Sequence, residues 1–86
     1  MSMANLAKKV LDTRTFPQIC SGISKAEWLA VMDRIVMQTA KTEQTVYNWR
    51  DGKTAPMSLI ERKAVAEIVS RVLGIKTNHR MLFPID

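Results

Sequence analysis

Apolar residues recur along this chain at helical spacing, three and four apart, and nowhere alternate as a strand requires. Trp28, Leu29, Met32, Ile35 and Val36 form one wide apolar face, which predicts a helix over residues 25–39. Ile60, Ala64, Val65, Ile68, Val69, Val72 and Leu73 form another, which predicts a helix over 58–73 that buries them. Glu61, Arg62, Lys63, Glu67 and Arg71 are then left in water. Met3, Leu6, Ala7, Val10 and Leu11 predict an N-terminal helix over 2–12, with Lys8 and Lys9 on its far side. Val46 and Trp49, three apart, give a short helix over 42–50 its buried side. No repeat or low-complexity segment interrupts this pattern. The expectation is one all-α domain over residues 1–86, a small bundle of about four main helices.

The punctuation agrees with the periodicity. "SKAE" from Ser24 fits a capping box, in which the serine hydroxyl and the Glu27 carboxylate satisfy each other's backbone amides. Ile23 and Trp28 sit at the staple positions around it. "SLIE" from Ser58 is a second match, and Thr42 can cap the short helix. Gly52 and Gly74 stand where left-handed residues end helices, Pro56 blocks continuation, and Ile75 can fold back on the last turn. Residues 13–23 read as a connector, because Pro17 pushes Phe16 towards an extended conformation. A single helical turn inside it has no assigned place. The tail, residues 75–86, reads as irregular, with Met81, Leu82 and Phe83 apolar enough to pack back.

Composition narrows the function. Thirteen Lys and Arg against eight Asp and Glu give a net charge of +5 and a pI near 9.8, which favours a polyanionic partner, nucleic acid before anionic membrane. Cys20 is the only cysteine, so no intrachain disulfide forms; a reduced, cytoplasmic chain with Cys20 as a small buried apolar group is expected. No apolar run approaches the roughly 18 residues of a membrane span, and the N-terminus lacks a signal-peptide pattern. His79 is the only histidine, with no second ligand at metal spacing and no nucleophile partner that can be argued. Gly52 and Gly74 are helix stops, not a phosphate cradle. The expectation is no metal, no cofactor, no small-molecule substrate and no enzyme.

The helices over 25–39 and 42–50 are joined by about two residues, too few for them to lie antiparallel, so they should cross steeply. A pair of this kind defines the helix-turn-helix. Residues 34–56, "RIVMQTAKTEQTVYNWRDGKTAP", resemble the helix-turn-helix of phage-repressor-like (lambda-repressor/Cro-type) DNA-binding domains. The residues that carry the resemblance are Ala40 in the turn, Thr42 as cap, Val46 and Trp49 as the buried pair, and "WRDGKTAP" after them. The resemblance covers about residues 24–73 and implies that the helix over 59–73 closes the core. It departs from the family at Val36, where alanine is usual, at Ala40, where glycine is usual, and at Thr39 and Lys41, where apolar residues are usual. Ala40 must therefore adopt a left-handed conformation, or the turn must be made differently.

The resemblance implies sequence-specific binding of double-stranded DNA by a small transcriptional regulator or mobile-element accessory protein. Chemistry suits it: Gln44 and Asn48, one turn apart, can each bond adenine through N6 and N7. Tyr47 can reach a phosphate or sugar, or its ring can cover the bundle surface. Arg50 and Lys53 are placed for phosphates or are ordinary surface charges, and Thr54 can donate a hydroxyl. The amide ends at Thr42 and Ser58 can hold phosphate oxygens. Glu43 faces outward with Gln44, Tyr47 and Asn48 and belongs to the candidate DNA-binding set, although its charge and that of Asp51, on or beside the same surface, oppose backbone binding. The second function class is a protein-interaction module that keeps the helix-turn-helix shell without reading DNA, using Met3, Met37, Met81 or Phe83 against a partner. A homodimer is left open under either reading.

Overall fold

The computed structural model describes residues 10–84. Among them the chain forms five helices, α1 (Phe16–Ser21), α2 (Lys25–Thr39), α3 (Glu43–Arg50), α4 (Leu59–Leu73) and α5 (His79–Leu82). The single β feature among the described residues is an isolated parallel bridge between Leu11 and Lys76. The molecule is thus the small all-α bundle that the periodicity predicts. No helix among the described residues is long and apolar enough to cross a membrane.

Side-chain caps start the helices. The Ser24 hydroxyl accepts from the Glu27 amide at 3.1 Å, and the Glu27 carboxylate accepts from the Ser24 amide at 2.9 Å. Ser58 accepts from the Glu61 amide at 3.1 Å, and Thr42 from the Thr45 amide at 3.2 Å. Each satisfies one of the donors that a helix start leaves unpaired.

Three segments differ from the sequence expectation. Residues 16–21 form a six-residue helix where the expectation is a connector with one turn of unassigned place. Thr15 and Gln18 form a full capping box, at 3.4 and 2.8 Å, and Pro17 sits in the first turn, where a missing N–H costs nothing. The tail is not wholly irregular, because the Asn78 carboxamide caps α5 by accepting from the Arg80 and Met81 amides at 3.0 Å each. The helix expected over 2–12 lies mostly outside the described residues. Its described end is extended: the Asp12 amide donates to the Lys76 carbonyl at 2.7 Å, and an amide so engaged is not continuing a helix.

One core joins all five helices. Phe16, Ile35, Val46, Val65, Val69 and Leu82 are fully buried within it, with Trp28 and Trp49 nearly so. The Phe16 ring packs against Phe83 and Trp28, with centroids 5.5 and 6.3 Å away. Cys20 is buried here too, as expected, and burial pushes its thiol pKa up to about 12 against an opposing pull from Arg50. Two expected core positions are not in it. Ile60 is 82% exposed and Leu29 41% exposed. At about 100° per residue Ile60 points roughly opposite Val69, and Leu29 lies about 120° round from Ile35, so each falls outside the stripe its helix turns inward.

Candidate functional site

The link between α2 and α3 is three residues long. Ala40 ends α2 in the left-handed conformation, φ 58° and ψ 20°, with its amide donating to the Val36 carbonyl at 2.9 Å. Of the two ways to make this turn, the chain takes the strained one. Thr39 braces it, donating to the Ile35 carbonyl at 2.7 Å and accepting from the Lys41 amide at 3.3 Å. Lys41 then reaches the Glu61 carboxylate at 3.4 Å, tying the link to the first turn of α4. Burial opposes ionisation of Glu61, but hydrogen bonds from Ser58 and Lys41 outweigh it and hold the carboxyl below its ordinary range.

The turn delivers α3 to the core on its Val46 and Trp49 side. The opposite side carries Gln44, which is exposed, and Asn48, which is half-buried. Gln44 Nε2 donates to Asn48 Oδ1 at 3.1 Å. The pair therefore stands ordered one turn apart, with the Gln44 carbonyl and the Asn48 amide as its remaining acceptor and donor. Thr42 and Glu43 are exposed at the start of the same helix. The Glu43 and Gln44 amides, in the first turn, have no intrahelical acceptor, and Glu43 sits favourably at the positive helix end.

Tyr47 and Arg50 are not part of a freely outward face. The Tyr47 ring meets Trp28 edge-on at 5.5 Å. The Arg50 guanidinium lies 4.6 Å from the Tyr47 centroid and 5.2 Å from that of Trp28, and its Nε donates to Asp51 at 3.0 Å. Tyr47 takes the surface-covering alternative, and Arg50 combines ion pairing with cation–π packing. The Trp28 indole N–H beneath them is buried with no acceptor among the described residues. Nothing local in the sequence signals this cluster, because Trp28 starts one helix and Tyr47 lies on the next.

Past α3 the chain turns back on itself. Gly52 is left-handed at φ 76°, which only glycine adopts without strain, and the Lys53 and Thr54 amides both donate to the Asn48 carbonyl at 2.9 and 3.4 Å. Lys53 and Thr54 are held at the end of α3 with exposed side chains. Arg62, expected in water, is half-buried and pins the loop instead, donating to the Pro56 carbonyl at 2.8 Å and the Met57 carbonyl at 3.1 Å. Glu61 is half-buried as well. Lys41 and Arg50 are ion-paired and Arg62 is held by backbone carbonyls, so Lys53 and Lys63 are the bases of residues 41–63 with neither kind of partner among the described residues.

The sequence-derived set thus divides in two. Thr42, Glu43, Gln44 and Asn48 share the exposed start and side of α3, with Lys53 and Thr54 at its far end. Tyr47 and Arg50 belong to the aromatic cluster between α3 and α2. Compared with known proteins, the chain matches no family model, no curated protein and no solved structure.

Proposed function

We propose that this chain is a small DNA-binding protein of helix-turn-helix type, in which α3 enters the major groove of double-stranded DNA and α2 supports it. One observation carries the reading: a three-residue link with a left-handed Ala40 holds an eight-residue helix whose apolar side is buried and whose other side offers an ordered Gln44–Asn48 amide pair. Paired amides of this sort match the donor and acceptor edge of adenine. Lys53, Thr54 and the first-turn amides of α3 supply phosphate contacts that set register. A transcriptional regulator or mobile-element accessory protein in the cytoplasm fits these parts.

A protein-interaction module without DNA readout is the second reading. It is favoured by the engagement of Arg50 with Trp28, Tyr47 and Asp51, and of Lys41 with Glu61, which leaves few cations beside α3. A mixed-sequence duplex titrated at two salt concentrations separates the two. DNA binding should weaken as salt rises, with log K falling against log salt at about −0.9 per phosphate neutralised, and roughly three to six contacts per chain are expected. Absence of duplex binding even at low salt would favour the interaction module.

A further inference from the structure

A recess of about 440 Å³ opens where α1, the loop after α3 and the residues after α5 come together. That volume is in the range of small-molecule sites. Each of the three segments gives it apolar surface: Pro17 from α1, Trp49 from the end of α3, and Phe83 and Pro84 after α5. Trp49 and Phe83 are 3% and 7% exposed, so the little surface they show is fixed by the core behind it. Two charged residues line the recess, Lys53 and Arg62; both are basic, and no acid among the described residues joins them. Lys53 is exposed and makes no ion pair among the described residues. Arg62 is immobilised instead. Its Nε and Nη2 donate to the Pro56 and Met57 carbonyls at 2.8 and 3.1 Å, a clamp that leaves Nη1 outside it and the positive charge intact.

We propose that this recess binds a small carboxylic acid with an aromatic or branched apolar body. The body lies against Trp49, Phe83 and the two prolines, and the carboxylate turns towards Lys53 and Arg62. Both halves of the ligand follow from the lining. A neutral apolar molecule would cover the rings but leave two cations beside it without a counter-charge. A bare inorganic anion would meet the cations but leave the apolar surface wet. A carboxylate carried on an apolar body answers both, since ammonium and guanidinium groups donate charge-assisted hydrogen bonds to it. An arginine already held by two carbonyls loses little further freedom when it binds. Lys53 and Thr54 line the recess and are also candidate phosphate contacts, so the acid and a DNA duplex would compete for them. The site itself does not rest on the DNA reading, because its test uses no DNA.

Amide NMR spectra of the isotope-labelled full chain, titrated separately with phenylacetate, phenylacetamide and acetate, are the test. Phenylacetate should give saturable shifts at the Gly52, Lys53 and Thr54 amides and at the Trp49 indole, with a Kd of about 0.1–1 mM for so small a ligand in an open site. Phenylacetamide keeps the ring without the charge, and acetate keeps the charge without the ring. Each should bind at least about tenfold more weakly. Lys53→Gln should weaken phenylacetate by about three- to tenfold and leave phenylacetamide as it was. Lys63→Gln makes the same charge change on α4 outside the recess and should leave phenylacetate binding unaltered. Both lysines are exposed, so neither variant should disturb the fold. No saturable shift up to about 10 mM phenylacetate overturns the inference. So does equal binding of phenylacetamide, or an equal loss in the two lysine variants, which would mean only a general attraction of anions to a basic chain.

Discussion

Helices α2 and α4 begin alike and end differently. Each runs fifteen residues from a serine cap whose hydroxyl takes the amide of a glutamate three positions on. Each stops at a left-handed residue. For α4 that residue is Gly74, at φ 66° and ψ 31°, which glycine adopts freely. For α2 it is Ala40, the one non-glycine residue with positive φ among those described. A left-handed alanine carries roughly 1–2 kcal/mol of strain. The surroundings account for its survival: Thr39 braces the turn, Lys41 anchors it to Glu61, and Thr42 caps the next helix at once. After Gly74 the chain only has to return through half-buried Ile75 to the Leu11–Lys76 bridge. One stop is made by a residue's intrinsic freedom, the other by contacts on both sides that overrule its preference.

The comparison is sharpened most by removing what the strained stop delivers. Trp49→Ala should lower stability by about 3–5 kcal/mol, the usual range for a core aromatic. The whole chain, at common per-residue values, is stable by roughly 4–13 kcal/mol. Denaturant unfolding should therefore show the variant unfolded if the chain lies near the low end of that range, and a midpoint lowered by the full loss if it lies higher. A loss under about 1 kcal/mol would mean that α3 is not held through its buried side.

Next comes the exposed side of the same helix. Gln44→Ala should leave the melting curve unchanged, since its side chain is in water and alanine favours helix. It should weaken binding to a selected duplex by about 1–3 kcal/mol, with little change on random DNA. If a selected duplex still binds tightly and with the same preference, the Gln44–Asn48 pair does not read bases.

The two stops themselves should respond with opposite signs. Gly74→Ala should destabilise by about 1–2 kcal/mol, the left-handed penalty. Ala40→Gly should stabilise by up to about 1 kcal/mol, because relief of that penalty exceeds the added freedom of the unfolded chain. Thermal or chemical unfolding of both variants decides it; equal signs would end the argument that Ala40 is strained.

The smallest effect belongs to the anchor. A double-mutant cycle on Lys41 and Glu61 should give about 0.2–1 kcal/mol at low salt, fading as salt rises. The folded pKa of Glu61 lies below its unfolded value, so this contribution is present at neutral pH and is lost as pH falls through the lowered value. Stability that rises on acidification through that window would contradict the pairing.

Much of the fold was legible because its signals are local. Capping residues, glycine stops and a three-to-four spacing act within one or two turns, and they mark α2, α3 and α4 to within a residue of where they form. α1 was foreseen only as a turn with no assigned place, although its signal, Thr15 with Gln18, is equally local; the proline beside Phe16 masked it. Burial was less legible. Ile60 and Leu29 fit an apolar stripe by spacing, but which part of a stripe turns inward depends on how the neighbouring helix lies. For the candidate site, spacing identified the Gln44–Asn48 side and the buried Trp49. It left open whether Tyr47 and Arg50 face solvent or pack on the bundle.

The sequence by itself determined the all-α class, the long helices with their starts and stops, and a chain too basic to be indifferent to charge. Helix formation is governed by residues three and four apart, which the chain displays in order. Tertiary structure alone decided the rest. It made Ala40 left-handed, drew Arg50 onto the rings of Tyr47 and Trp28, and turned Arg62 back to hold the loop at Pro56 and Met57. The ring stack and the Lys41–Glu61 anchor beside Ala40 join groups that lie far apart in the chain. Their energies depend on distances that no local pattern records, and they exist only once the core has brought those groups together.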